Sequence, residues 1–171
     1  MPRRVRPDFP AEWHVPNNPA LWITWARTRE KLTKEQVYWI SSSSRKGRPH
    51  AAPVWGIWKS DVFYFETDPN SVKGRNLGSN PAVVVHIQDG LDTVIVEGRA
   101  QRESNPAMLG NLLREYARKY DYRPDWSDGR AQVVFRVEPH VAHAWRAPRM
   151  HANTVNFVFR EKGTPGTARP P

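Results

Sequence analysis

The chain has 171 residues, with 26 Lys plus Arg against 17 Asp plus Glu and no cysteine. Its length and its 39% apolar share support one core of ordinary size rather than two independent domains. The missing cysteines exclude disulfides, thiolate metal sites, iron–sulfur clusters and a cysteine nucleophile, and the net charge of +9 draws anions, whether nucleic acid, an acidic membrane surface or a polyanionic small molecule.

Proline is dense at both ends, so residues 1–20 read as an extended N-terminal arm, 21–161 as a single domain and 162–171 as a disordered C-terminal tail. No apolar run approaches the ~20 residues that span a bilayer, and the start lacks the apolar segment of a secretory signal, which gives a cytoplasmic, non-membrane expectation. Leu21, Trp22, Trp25 and Leu32 are spaced for a helix over Leu21 to Lys34. From Gln36 the texture changes to short apolar runs between turn residues. Val37 to Ser43, Pro49 to Trp58 and Val62 to Thr67 read as a three-strand meander, turned at Arg45, Lys46 and Gly47 and again at Lys59, Ser60 and Asp61. Phe63 and Phe65 then share one face of the third strand.

Asn70 to Gly78 has a cap in Asn70 or Ser71 and a terminal glycine, the punctuation of a two-turn helix. Ala82 to Gln88 and Thr93 to Ala100 flank Asp89 and Gly90 as a hairpin. Pro106 opens a longer helix, capped by Asn105 or Ser104, in which Met108, Leu112, Tyr116 and Tyr120 recur at helical spacing. Strands at Ala131 to Glu138, Val141 to Trp145 and Thr154 to Arg160 close the chain. Seven or eight strands, with helices after the third and fifth, lack the alternation of a doubly wound sheet. The predicted fold is mostly β with accessory helices, a closed antiparallel barrel.

Thr67 to Leu77 places a helix start directly beneath two cations. Unpaired N–H groups and the dipole of a first turn attract an anion, to which Ser71 adds a hydroxyl, Lys73 a point charge and Arg75 a fork. Pro53 removes a ladder donor from its strand and marks an edge or bulge, while Ala51 and Ala52 leave room beside it. Trp55 and Trp58 face opposite ways on a strand, so one of them is placed to border a planar ring. His50 is the candidate proton donor or substrate contact. His140 and His143 point to opposite strand faces without a carboxylate cluster, so no metal is expected. No serine elbow, P-loop or dinucleotide fingerprint is present.

Five segments in this order resemble the pyridoxamine 5′-phosphate oxidase-like split-barrel superfamily, and within it the flavin/deazaflavin oxidoreductases. They are G-R-P-H-A-A-P-V-W from Gly47, F-Y-F-E-T from Phe63, S-V-K-G-R-N-L from Ser71, N-P-A-V-V-V-H from Asn80 and V-E-G-R-A from Val96, and the likeness spans Glu35 to Arg160. The resemblance implies a split β-barrel homodimer with two cofactor sites at the subunit interface. The phosphate would sit at Thr67, Ser71, Lys73, Arg75 and Asn76, the ring would lie against Ala52, Pro53, Val54 and Trp55, and Trp145 and Arg146 would close over it from the other subunit. The C-terminal arginine-and-tryptophan signature of the true pyridoxamine-phosphate oxidases is not intact, so their substrate is not inherited.

The short K-x-R-N-L helix is more similar to the branch using the deazaflavin F420, whose tail is polyanionic, with FMN as the alternative cofactor. The expected activity is hydride transfer between the reduced ring and a small, apolar, conjugated acceptor, the protein supplying orientation, a dry wall and positive charge. Two other readings remain open at this stage. One is a non-catalytic cofactor or haem carrier on the same barrel, and the other is a single-stranded nucleic-acid binder, disfavoured because the charge is clustered.

Overall fold

The computed structural model describes residues 1–126 and 131–159. Its first helix, α1 (Trp25–Lys34), starts where Thr24 caps it, the threonine hydroxyl accepting from the Arg27 N–H at 3.3 Å. The helix begins later than the apolar spacing predicts, because Leu21 is half exposed and the docking stripe is Trp25, Thr28 and Leu32.

Among the described residues nine antiparallel strands form the sheet. They are β1 (Arg3–Val5), β2 (Tyr38–Ser43), β3 (Pro49–Val54), β4 (Ile57–Lys59), β5 (Val62–Thr67), β6 (Ala82–Ile87), β7 (Asp92–Arg102), β8 (Val133–Arg146) and β9 (Val155–Val158). Helix α2 (Val72–Ser79) links β5 to β6, α3 (Pro106–Tyr120) follows β7, and the short α4 (Met150–Asn153) precedes β9. Neighbours run β1-β9-β8-β7-β6-β2-β3, and β5, carrying β4, joins the free half of β8. The sheet curls because β8 is 14 residues long and changes partner. Phe135 and its neighbours face β5, Ala142 and its neighbours face β9, and β7 covers the opposite edge throughout.

Two predicted strand boundaries change for steric reasons. Pro139 read as the break between two strands, yet β8 runs through it: Gly98 pairs with Pro139 and Glu97 with Val141, so His140 is the extra residue of a bulge. A Cβ at Gly98 would collide with the Glu138 carbonyl, so only glycine permits this approach. Conversely, the single run Pro49 to Trp58 breaks at Trp55 and Gly56. A Cβ on Gly56 would run into the Phe63 ring and come within 2.7 Å of the Tyr64 carbonyl, so the chain bends there against β5.

The N-terminal segment, expected as an extended arm, carries a paired strand. Arg3 lies opposite Val158 and Val5 opposite Asn156, and Arg6 then donates to the Val15 carbonyl at 2.7 Å. Arg160, the predicted end of the last strand, and the tail 162–171 lie outside the described residues.

Alternation fixes the faces. Tyr38, Ile40, Phe63, Phe65, Val85, Val96 and Phe157 converge in one core, while Val62 and Tyr64 on the other face of β5 pack beneath Leu112 and Tyr116 of α3. The cross-strand register also sets a row of outward residues, Pro53, Trp39, His86, Ile95, His143 and Asn156. Within it Trp39 and His86 stack at 6.4 Å between centroids. No helix among the described residues is long and apolar enough to cross a membrane.

Candidate functional site

Helix α2 is built as its punctuation predicts. Ser71 caps it, its hydroxyl accepting from the Gly74 N–H at 3.1 Å, and the same oxygen lies 3.0 Å from the Thr67 hydroxyl. The Thr67 hydroxyl also reaches the Asp68 carbonyl at 3.4 Å, so the pair lies within the loop that closes onto the helix start. A Cβ on Gly74 would strike the Asp68 and Pro69 carbonyls, so glycine lets the loop close onto the first turn. No acidic residue occupies that turn.

The two cations divide there. Lys73 is half buried, and no hydrogen bond or ion pair joins it to another described residue. Arg75 folds back and donates to the Asn70 carbonyl. Asn76 points the other way: it is buried, and its amide donates to the Ser42 hydroxyl at 3.2 Å, which pins α2 to β2. Lys73 is therefore the free charge of the trio, while Asn76 positions the helix.

His50 sits opposite Ser42 in the β2–β3 register, so the Asn76 anchor brings α2 and His50 to the same end of the barrel. Along β3, Ala52 and Val54 face Ile40 and Tyr38 on the inner side, whereas Pro53 is exposed beside Trp39 on the outer side. Trp55 is 47% exposed beyond the strand end and lies parallel to Tyr120 at 4.8 Å, with Tyr122 edge-on at 5.8 Å. The four residues expected to form one bed thus occupy two faces of β3 and a corner, with Pro53 the outward contact among them.

Trp145 and Arg146 lie opposite Thr93 and Asp92, at the end of β7 remote from Arg99. Arg146 lies 3.9 Å from Asp92, which also binds Arg27 at 2.8 Å and Lys31 at 3.3 Å. Within one chain this pair stands apart from the start of α2.

Sequence reasoning missed an open groove of about 480 Å3 on the outward face, lined by Ser41, Ser43, Ala82, Val84, Glu97, Arg99 and His140. Helix α2 borders it, because the Asn80 amide donates to the Ser43 hydroxyl at 2.9 Å. The detectable signal was period-two alternation within the serine run and within V-E-G-R-A, which points Ser41, Ser43, Glu97 and Arg99 to one side. His143 is engaged by Asn156 at 2.8 Å and Glu97 at 3.1 Å. Hydroxyls, one arginine and an apolar floor suit a polar chain laid along the sheet, and an unpaired lysine at a capped helix start suits a phosphate or carboxylate. These residues fit a flat ring bearing an anionic tail.

The family profile described as pyridoxamine 5′-phosphate oxidase matches residues 24–146. Among solved structures, an F420 reductase superposes with a TM-score of 0.53 at 23% identity, covering 66% of this chain and 94% of its own. A conserved hypothetical protein from Mycobacterium tuberculosis gives 0.64 at 17%, covering 88% and 97%. The haem storage protein from Vibrio cholerae gives 0.55 at 14%, covering 67% and 89%. Identities this low show a shared fold alone. No curated protein matches the sequence.

Proposed function

We propose that this chain, which belongs to the pyridoxamine 5′-phosphate oxidase family, is an oxidoreductase that binds the deazaflavin F420, or alternatively FMN, and reduces a small, apolar, conjugated acceptor. The observation that carries the reading is the half-buried Lys73 without an anionic partner, set in the first turn of a helix that Ser71 caps. A cation there opposes the helix dipole at a cost of up to ~1 kcal/mol, a penalty that a bound anion reverses.

The bound cofactor would supply the hydride chemistry. The chain's own residues would do the rest. Lys73 and the Thr67–Ser71 hydroxyl pair hold the anionic tail. Arg99, Ser41 and Ser43 extend that hold along the outward groove, a setting that favours F420 with its polyanionic tail over FMN. Pro53 offers a flat apolar contact without an N–H, and His50, at the same end as α2, is the side-chain source of a proton, with solvent as the other.

The reading includes a homodimer. The outward face presents Trp39, Pro53 and Ile95 in a row as a surface for a second copy, and the family likeness would set Trp145 and Arg146 of one copy over the α2 end of the other. The test is a side-by-side titration of purified protein with F420, FMN and haem, followed by absorbance and fluorescence, on wild type and Lys73→Ala. Tight binding of F420 that weakens in the variant supports the assignment. Equal affinity in the two proteins removes it.

A further inference from the structure

A second lysine is unpaired for a different reason. Lys119, near the end of α3, donates to the Tyr38 hydroxyl and to the Gly56 carbonyl, each at 3.0 Å, and lies 4.9 Å from the centre of the Tyr38 ring and 5.2 Å from that of Tyr120. Among the described residues no carboxylate forms an ion pair with it. Burial pushes its ammonium down to about 8, against a smaller upward pull from Glu35. Tyr120 does not neutralise the charge: its hydroxyl accepts from the Gly56 N–H at 2.9 Å and shares its one proton between the Gln36 carbonyl at 3.0 Å and the Gly56 carbonyl at 2.8 Å. Tyr38 cannot compensate the charge either: its own proton goes to the Leu32 carbonyl, and burial raises its pKa.

Lys119 opens onto a pocket of about 320 Å3 between α1, β4 and α3, together with Thr33, Gln36, Lys59, Glu115 and Arg118. Glu115 is committed to Lys59, at 3.0 Å, and to Arg118. The lining therefore holds three cations and one carboxylate, the carboxylate paired with Lys59 and Arg118 alone, at a site to which α2 contributes nothing. A desolvated amine without a counter-ion is a nucleophile, and the neighbouring cations suit a planar anion.

We infer that this pocket is a separate site at which a small aldehyde bearing a carboxylate condenses with Lys119. The Nζ lone pair adds to the carbonyl carbon, both amine protons leave with the carbonyl oxygen as water, and a C=N bond remains, so no oxidant or reductant is consumed. Lys59 and Arg118 receive the carboxylate, and the free-base fraction of Lys119 near neutrality supplies the nucleophile. The inference stands independently of the cofactor reading.

The test treats the full chain with limiting glyoxylate, reduces the adducts with borohydride, and maps carboxymethyl groups among its lysines by mass spectrometry. Lys119 should be modified first. Glyoxylate should label it roughly tenfold faster than acetaldehyde does, the factor that ~1.4 kcal/mol of charge-assisted hydrogen bonding supplies. Lys59→Met, which leaves the clasp of Lys119 on Gly56 intact, should erase that preference. Labelling that follows simple exposure, with Lys46 and Lys34 ahead of Lys119, overturns the inference. So does equal labelling by the neutral aldehyde.

Discussion

Lys73 and Lys119 invite comparison, since each goes without a carboxylate and the two are held in opposite ways. At the start of α2 the lysine is attached to a rigid frame and bonded to no other described residue, so its charge is offered outward. In the Gly56 corner the lysine is gripped by two oxygens and two aromatic faces, so its charge is suppressed. The contrast teaches that an unpaired cation carries no single meaning. An accessible one recruits an anion, whereas a desolvated one moves toward neutrality and gains reactivity.

The sharpest way to break this comparison is to loosen the corner. Gly56→Ala should cost about 3 kcal/mol, as overpacking against Phe63 and the Tyr64 carbonyl demands, read as a lowered urea midpoint. A variant as stable as wild type would mean that the corner yields and that the burial of Lys119 is not imposed by it. A reciprocal pair sharpens the comparison next. Lys73→Ala should weaken F420 binding at least about tenfold while changing stability by less than ~0.5 kcal/mol. Lys119→Met should leave coenzyme affinity at the wild-type value and, by removing a charge whose burial is uncompensated, hold or raise the urea midpoint near neutrality. If both variants lose affinity, the two regions are one site.

Smaller effects follow. Ser71→Ala removes the cap from the Gly74 N–H and should cost ~1 kcal/mol, with some loss of affinity because the first turn frays. A pH dependence accompanies them. Lys119 titrates lower in the folded chain than in the unfolded one, so between about 8 and ~10.4 the unfolded state binds more protons and stability rises with pH through that window. Below it the cost of burying the charge is fully present. Comparing wild type with Lys119→Met across this range should show the gain in wild type alone; parallel curves would mean that the ammonium is well solvated.

Legibility in the sequence follows locality. The hairpin at Asp89 and Gly90, the Ser71 and Asn105 caps, and the inward Phe63 and Phe65 were readable because each depends on residues a few positions apart. The Pro139 bulge was not readable, because whether a proline ends a strand or kinks it depends on Gly98 standing opposite on β7. The α2 site was half legible. Spacing located the cations, but not that Arg75 would satisfy itself on Asn70 while Asn76 turned inward to Ser42. Lys119 escaped notice because its partner Tyr38 lies 81 residues away, although its position three residues after Tyr116 already placed it on the buried stripe of α3.

The three residues of β1 have a consequence for solution behaviour. They occupy the outer edge of β9, whose own backbone groups would otherwise lie bare. The opposite margin of the sheet, β3, is defended differently, by Pro49 and Pro53, which offer no N–H to an incoming chain. Trimming the first few residues, or burdening them with a fusion handle, would unmask a template for strand addition. The result to watch for is concentration-dependent oligomers and turbidity, with the start of α2 untouched.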